Sequence, residues 1–118
     1  MTDQARATAL RMYTAFNDHD HAAALEILTD DFYSHPLGTT GPQSIVESWQ
    51  RLHDAFPEAR VEVEDIVVEG DNVATRLSVH GIPDQAPMML EMYRVRDGRI
   101  AELWALTSMR RDGGQRPK

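Results

Sequence analysis

The sequence has 118 residues, 42% hydrophobic and 26% charged, with a formal net charge of −7 and no cysteine. One domain of this size can bury a core; its acidity argues against nucleic acid or an anionic membrane surface as a partner, and the missing cysteines exclude disulfides, thiolate metal sites and thiol nucleophiles. No apolar run approaches the roughly 20 residues of a membrane span, no signal peptide is visible at Met1, and eleven Arg to one Lys suits a GC-rich bacterial genome, so the expectation is a cytoplasmic bacterial protein.

From Thr2 to Asn17, Ala5, Ala9, Met12 and Phe16 recur at helical spacing, and Leu10 and Tyr13 widen the stripe. Asn17-Asp18-His19-Asp20 ends this helix. Asp20 is placed to cap a second, short helix through Thr29, with Leu25 and Leu28 on its buried side. Asp31-Phe32-Tyr33-Ser34-His35 reads as a short strand stopped by Pro36. Thr40 and Gln43 form a capping box around Gly41-Pro42. The third helix that it opens carries Ile45, Trp49, Leu52 and Phe56 on one face and is stopped by Pro57.

Four strands follow. Arg60 to Glu69 alternates, Gly70-Asp71-Asn72 turns, and Asn72 to His80 alternates again. After a loop at Pro83–Pro87, Met88 to Met109 reads as a hairpin around Asp97-Gly98, a pair that accepts the positive φ of a two-residue turn. Strict alternation puts Met88, Leu90, Met92 and Arg94 on one face of its first strand, and Met89, Glu91, Tyr93 and Val95 on the other. In the second strand it groups Ile100, Glu102, Trp104, Leu106 and Ser108 against Ala101, Leu103, Ala105, Thr107 and Met109. Both faces are largely apolar, so both need cover. Helices segregated from a run of antiparallel strands make an α+β domain. The expected domain spans residues 1–109, and residues 110–118 form a flexible polar tail.

Several stretches, taken in order, carry a resemblance. They are Tyr13-Thr14-Ala15-Phe16-Asn17 followed by Asp20, Asp30-Asp31-Phe32-Tyr33-Ser34-His35, Ala55-Phe56-Pro57-Glu58 and Glu69-Gly70-Asp71-Asn72-Val73-Ala74. Arg94 to Trp104 completes the set. Over residues 10 to 108 the chain resembles the SnoaL-like polyketide cyclases of the nuclear transport factor 2-like superfamily, which also holds the ketosteroid isomerases. The resemblance implies a cone-shaped fold in which three N-terminal helices pack on a curved, mainly antiparallel sheet and enclose an apolar pocket. It also implies a homodimer, a small hydrophobic ligand and cofactor-independent chemistry. In the cyclases and isomerases, a proton is removed next to a carbonyl and the enolate is held by hydrogen bonds. Two features depart from the pattern. Ser108 stands where the cyclases often carry an acid, four positions after Trp104, and the loop between the third and fourth strands is shortened to His80-Gly81-Ile82-Pro83.

His35, at the end of the short strand, is the candidate base, because an imidazole titrates near neutrality. Tyr13 or Arg76 is the candidate holder of the enolate oxygen. Trp104, Trp49, Met92, Ser108 and Met12 are the candidate pocket residues, Met12 falling where the isomerases place a tyrosine. Each also suits a plainer role: His35 tied to a carbonyl, the tryptophans in the core, and Arg76, Glu91 and Glu102 in cross-strand pairs. On the hairpin, the face of Trp104 and Ser108 is expected to look into the cavity and the opposite face to meet a partner subunit. His19 and His21 lie among Asp18 and Asp20 at a helix end, where capping is the better reading than a metal, so no metal site is expected. His53 is expected to be solvated, and His80 to stand near the pocket mouth. The alternative function is a non-catalytic domain that binds a small hydrophobic ligand, which Met88, Met89 and Met92 would suit as adaptable thioethers.

Overall fold

The computed structural model describes residues 2–109; the expected tail at 110–118 lies outside the described residues. The chain runs through α1 (Thr2–Asn17), a 3-10 turn (His21–Ala23), α2 (Ala24–Ile27), β1 (Leu28–Ser34), β2 (Thr39–Thr40) and α3 (Gln43–Ala55). It continues as β3 (Arg60–Glu69), β4 (Asn72–His80), β5 (Met88–Arg96) and β6 (Arg99–Thr107). The six strands form one sheet in the order β2-β1-β6-β5-β4-β3. Its neighbours are antiparallel except β1 and β6, which run parallel. The architecture is α+β, with three helices on a mixed sheet. No helix of the described residues is long and apolar enough to cross a membrane.

Helix α1 buries Ala5, Ala9, Met12, Tyr13 and Phe16 against the sheet, on the stripe that its spacing predicts. Leu10 is 39% exposed, because it lies one position off that seam. The second helix is shorter than expected. A 3-10 turn leads into a single α-turn, and Asp20 makes no side-chain cap. Ala24 and Ile27 are the buried residues there, while Leu25 is exposed. Leu28 leaves the helix to pair with Ile100, so β1 starts three residues earlier than the Asp31 start read from sequence.

The capping box is also absent. Thr40 is spent in β2, paired with Tyr33, and α3 starts behind Pro42 without a side-chain cap. Ser44 bonds Thr39 instead, at 2.7 Å, tying the first turn of α3 to β2.

The four long strands stand where expected, except that β6 ends at Thr107, short of Met109, and Asp97 and Gly98 take φ of 54° and 77°, the backbone of a tight hairpin turn. Two bulges change which side chains face inward. On β3, Glu64 is extra between the pairs Val63↔Leu77 and Asp65↔Arg76, so Val61, Val63, Ile66 and Val68 pack inward and Val67 points out. On β6, Ala101 is extra between Val95↔Ile100 and Arg94↔Glu102. Ile100, Leu103, Ala105 and Thr107 therefore share the helix-facing side with Val95, Tyr93, Glu91 and Met89. Glu102, Trp104 and Leu106 share the other side with Arg94, Met92 and Leu90. The expected assignment of the β6 faces is thus reversed. Strict alternation across Ile100 fails because one inserted residue turns the rest of the strand over.

The short loop after β4 closes against the end of α3. A Cβ on Gly81, at φ +86°, would stand 2.0 Å from the Glu58 carbonyl oxygen, so the two backbones touch where only glycine fits. Ala59, Val79 and Ile82 form a small satellite core around that contact.

Candidate functional site

A cavity of about 220 Å³ opens between α1, α3 and the inner face of the sheet. Helix α1 contributes Met12, Tyr13 and Phe16 to its wall, and α3 contributes Ile45, Ser48, Trp49 and Leu52. Strands β4 to β6 contribute Leu77, Val79, Met89, Glu91, Leu103, Ala105 and Thr107. A side pocket of about 40 Å³ shares Met12, Ile45, Trp49, Glu91 and Leu103 and reaches Tyr93 and Phe32. Glu91 is the one carboxylate among the described lining residues and stands where the two spaces meet.

The β5 alternation puts Glu91 on the helix-facing side, opposite Thr75 on β4 and Ala105 on β6. Its Oε1 accepts a hydrogen bond from the Tyr13 hydroxyl at 2.8 Å and a second from the Tyr93 hydroxyl. Tyr13 also meets Thr75 Oγ1 at 2.7 Å and the hydroxyl of Tyr93. Among the described residues, Oε2 has no hydrogen-bond partner, and it is not a sealed, unsatisfied atom. Burial pushes the Glu91 carboxyl above the usual carboxylate range, although the two tyrosine hydrogen bonds pull it back in part. Burial, and then the neighbouring Glu91 charge, raises both phenols, so Tyr13 and Tyr93 stay protonated and act as donors. The arrangement is a carboxylate held by one oxygen, with the other open to an otherwise apolar space.

The candidates read from the sequence divide across the sheet. Tyr13, Met12 and Trp49 line the cavity. His35, Arg76, Trp104, Met92 and Ser108 are not among its lining residues. His35 lies on the outer face, with its Nε2 2.8 Å from Glu102 Oε2 and its ring stacked on Trp104 at 4.5 Å. Arg94 completes this cluster, over the Trp104 ring at 5.4 Å and 3.2 Å from Glu102. Arg76 pairs with Asp65 at 2.7 Å across β3 and β4. Ser108 and Met88 exchange backbone and side-chain hydrogen bonds at the open end of the hairpin, a strand-closing role. His80 pairs with Glu62 at 2.9 Å. On the same outer face Leu90, Met92 and Leu106 stand exposed.

Two groupings were not foreseen. The sequence places Glu91 in a charged pair with an arginine, cross-strand in preference to one that positions a substrate or tunes His35, and not alone on a cavity wall; the available signal is an isolated acid between Met89 and Tyr93 on one face of a strand. The second grouping joins His19, His21 and His53, whose ring nitrogens come within 4.8 Å of one another. His53 is buried rather than solvated. It is 32 residues from His21 in sequence, so no local spacing announces the trio.

The profile of the SnoaL-like domain family matches residues 9–103. No curated protein matches the chain significantly. Among solved structures, IdmH of Streptomyces antibioticus, provisionally assigned as a polyketide cyclase, is 31% identical; the match covers 89% of this chain and 92% of that one, with a TM-score of 0.78. A provisionally assigned polyketide cyclase of Bacillus cereus is 27% identical over 89% of this chain and 74% of that one, with a TM-score of 0.80. AclR of Streptomyces galilaeus, provisionally a hydroxylase, is 26% identical over 93% and 92%, with a TM-score of 0.77.

Proposed function

The chain belongs to the SnoaL-like domain family, and on that footing we propose that it is a cofactor-independent cyclase or isomerase acting on a small apolar carbonyl compound. The observation that carries the reading is the lone carboxylate, Glu91, in an apolar cavity, with Oε1 fixed by two phenols and Oε2 left open. A carboxyl raised above the ordinary carboxylate range is, once ionised, a stronger base than an ordinary one. Glu91 Oε2 takes a proton from the carbon beside the substrate carbonyl. The C–H electron pair moves to the carbonyl oxygen as an enolate. Once Oε2 is protonated, Oε1 is a poorer acceptor, and the Tyr13 hydroxyl, which also borders the cavity, is free to donate to the enolate oxygen. Returning the proton to a different carbon moves the double bond. Attack of the enolate carbon on a second carbonyl closes a ring instead, and the proton on Glu91 passes to the alkoxide formed there.

The role first assigned to His35 passes to Glu91 in this proposal, because His35 stands on the opposite face of the sheet. Met12, Phe16, Trp49 and Leu103 would hold the apolar body of the substrate. The cavity volume favours a compact substrate of one or two rings. The names of the IdmH and Bacillus relatives support the cyclase class. A homodimer belongs to the same proposal, formed through the exposed apolar outer face of β5 and β6.

The test follows the proton. Small cyclic ketones and β-dicarbonyl compounds incubated in D2O should exchange the hydrogens beside the carbonyl faster with the protein than without it, and Glu91→Gln should remove at least about a hundredfold of that acceleration. Binding without exchange would support a non-catalytic ligand-binding domain instead.

A further inference from the structure

We propose that His19, His21 and His53 form a binding site for one Zn²⁺ ion, at the junction of α1 and α3 and apart from the cavity. The ring nitrogens of the three lie within 4.8 Å of one another. His21 Nε2 and His53 Nδ1 are already 2.7 Å apart, and the His19 and His53 rings stack at 3.7 Å. Tetrahedral zinc with Zn–N bonds of about 2.0–2.1 Å needs donors roughly 3.4 Å from each other. The observed separations, 2.7 Å for one pair and no more than 4.8 Å for the others, bracket that spacing.

The orientation of His53 is the second observation. Its Nε2 lies 2.9 Å from the Ala59 carbonyl oxygen, and a carbonyl can only accept, so Nε2 carries the hydrogen. Nδ1 of the neutral ring then presents its lone pair toward His21. A ring N–H fixed by a backbone carbonyl is how proteins orient a metal-binding histidine. This one is buried and cannot turn away to solvent.

The third observation is backbone. His19 has φ of 59°, a left-handed conformation that L side chains rarely adopt, and this turn lays its ring over His53. Three imidazoles without a thiolate or a ligating carboxylate select zinc and its neighbours over calcium or magnesium. A fourth position stays open to water. The ion would join the end of α1 to the end of α3 directly behind Phe16 and Trp49, whose rings lie 4.4 Å from His53 and 6.5 Å from His21.

The experiment uses the untagged chain stripped with EDTA and titrated with ZnCl2 by calorimetry, with thermal unfolding measured alongside. One zinc per chain and a rise in Tm are expected. His19→Ala and His21→Ala, whose folding is checked in EDTA, should each weaken the affinity by about tenfold or more. In the parent chain, zinc should shift the ring resonances of His19, His21 and His53 and leave those of His35 and His80 in place. Failure of the parent to bind, shifts confined to His35 or His80, or parent-like affinity in either variant would overturn the site.

Discussion

Tyr13 on α1 donates a hydrogen bond to Glu91 on β5 over 2.8 Å, joining the N-terminal helix to the middle of the sheet at the cavity wall. This bond serves the ionised carboxylate and holds its pKa below where burial alone would leave it. Replacing Tyr13 by Phe removes that help. The rising limb of a pH–rate profile for carbonyl exchange should move to higher pH, with turnover at neutrality falling by about tenfold or more. An unmoved limb would mean that Tyr13 does not bear on the base.

Glu91 also makes a stability prediction with a definite sign. Its folded pKa is raised, so between the unfolded and the folded values the native state holds more protons than the unfolded state. The contribution of Glu91 is fully present below the ordinary carboxylate range and is lost as pH rises through the raised value. Glu91→Gln has no such proton to lose. Urea unfolding from acid to neutral pH should show that decline in the parent and not in the variant, which should be at least as stable as the parent near neutrality.

Gly81 packs against the Glu58 backbone, with no room for a Cβ beside the carbonyl. Gly81→Ala must escape both that clash and a positive φ, at a cost of about 2 kcal/mol or more. A drop in Tm of roughly 10 °C is expected by calorimetry. A change of a degree or two would show that the loop after β4 moves aside freely.

His35 is stacked on Trp104 and paired with Glu102 on the side of the sheet away from the cavity. His35→Ala should keep turnover within about threefold of the parent, because no group in the proposed proton path is touched. A loss of a hundredfold would return the base to the outer face and displace Glu91.

The exposed residues Leu90, Met92 and Leu106 lie on adjacent strands, and Leu106 is 74% exposed. Leu106→Arg places a charge in the middle of this strip. Equilibrium sedimentation should report a dimer for the parent and a monomer for the variant. A monomeric parent would remove the homodimer from the proposal.

What the sequence displayed, and what it withheld, follows from how local each signal is. The α1 stripe, the starts of β3 to β6 and the Asp97-Gly98 turn are set by periods of a few residues, and each is found where the periods place it. The Thr40 capping box failed because strand pairing with Tyr33 used Thr40, and the second helix stopped short because Leu28 pairs with Ile100. The site was harder still. A single bulge at Ala101 exchanged the β6 faces, so Trp104 and Ser108 moved outside and Leu103 moved in. A trace remained in the spacing of Ile100 and Leu103, three apart where a regular strand has two, and the same interval separates Val63 from Ile66. Neither the meeting of Tyr13 with Glu91 nor that of His21 with His53 has any local trace, because only the packing of α1 and α3 brings these residues together.

The extra residue in β6 bears on how such a protein can change over time. Point substitutions along β6 alter one wall position at a time and leave the others alone. A shift of register that removed the bulge, pairing Ala101 with Arg94, would act on the whole strand, turning Trp104 and Leu106 toward the cavity and Leu103 and Ala105 away. A tryptophan in that space would fill much of it and replace the ligand range in one step. For descendants of this chain, a change of register beside the Asp97-Gly98 turn is therefore the short route to a new cavity wall, and substitution is the slow one.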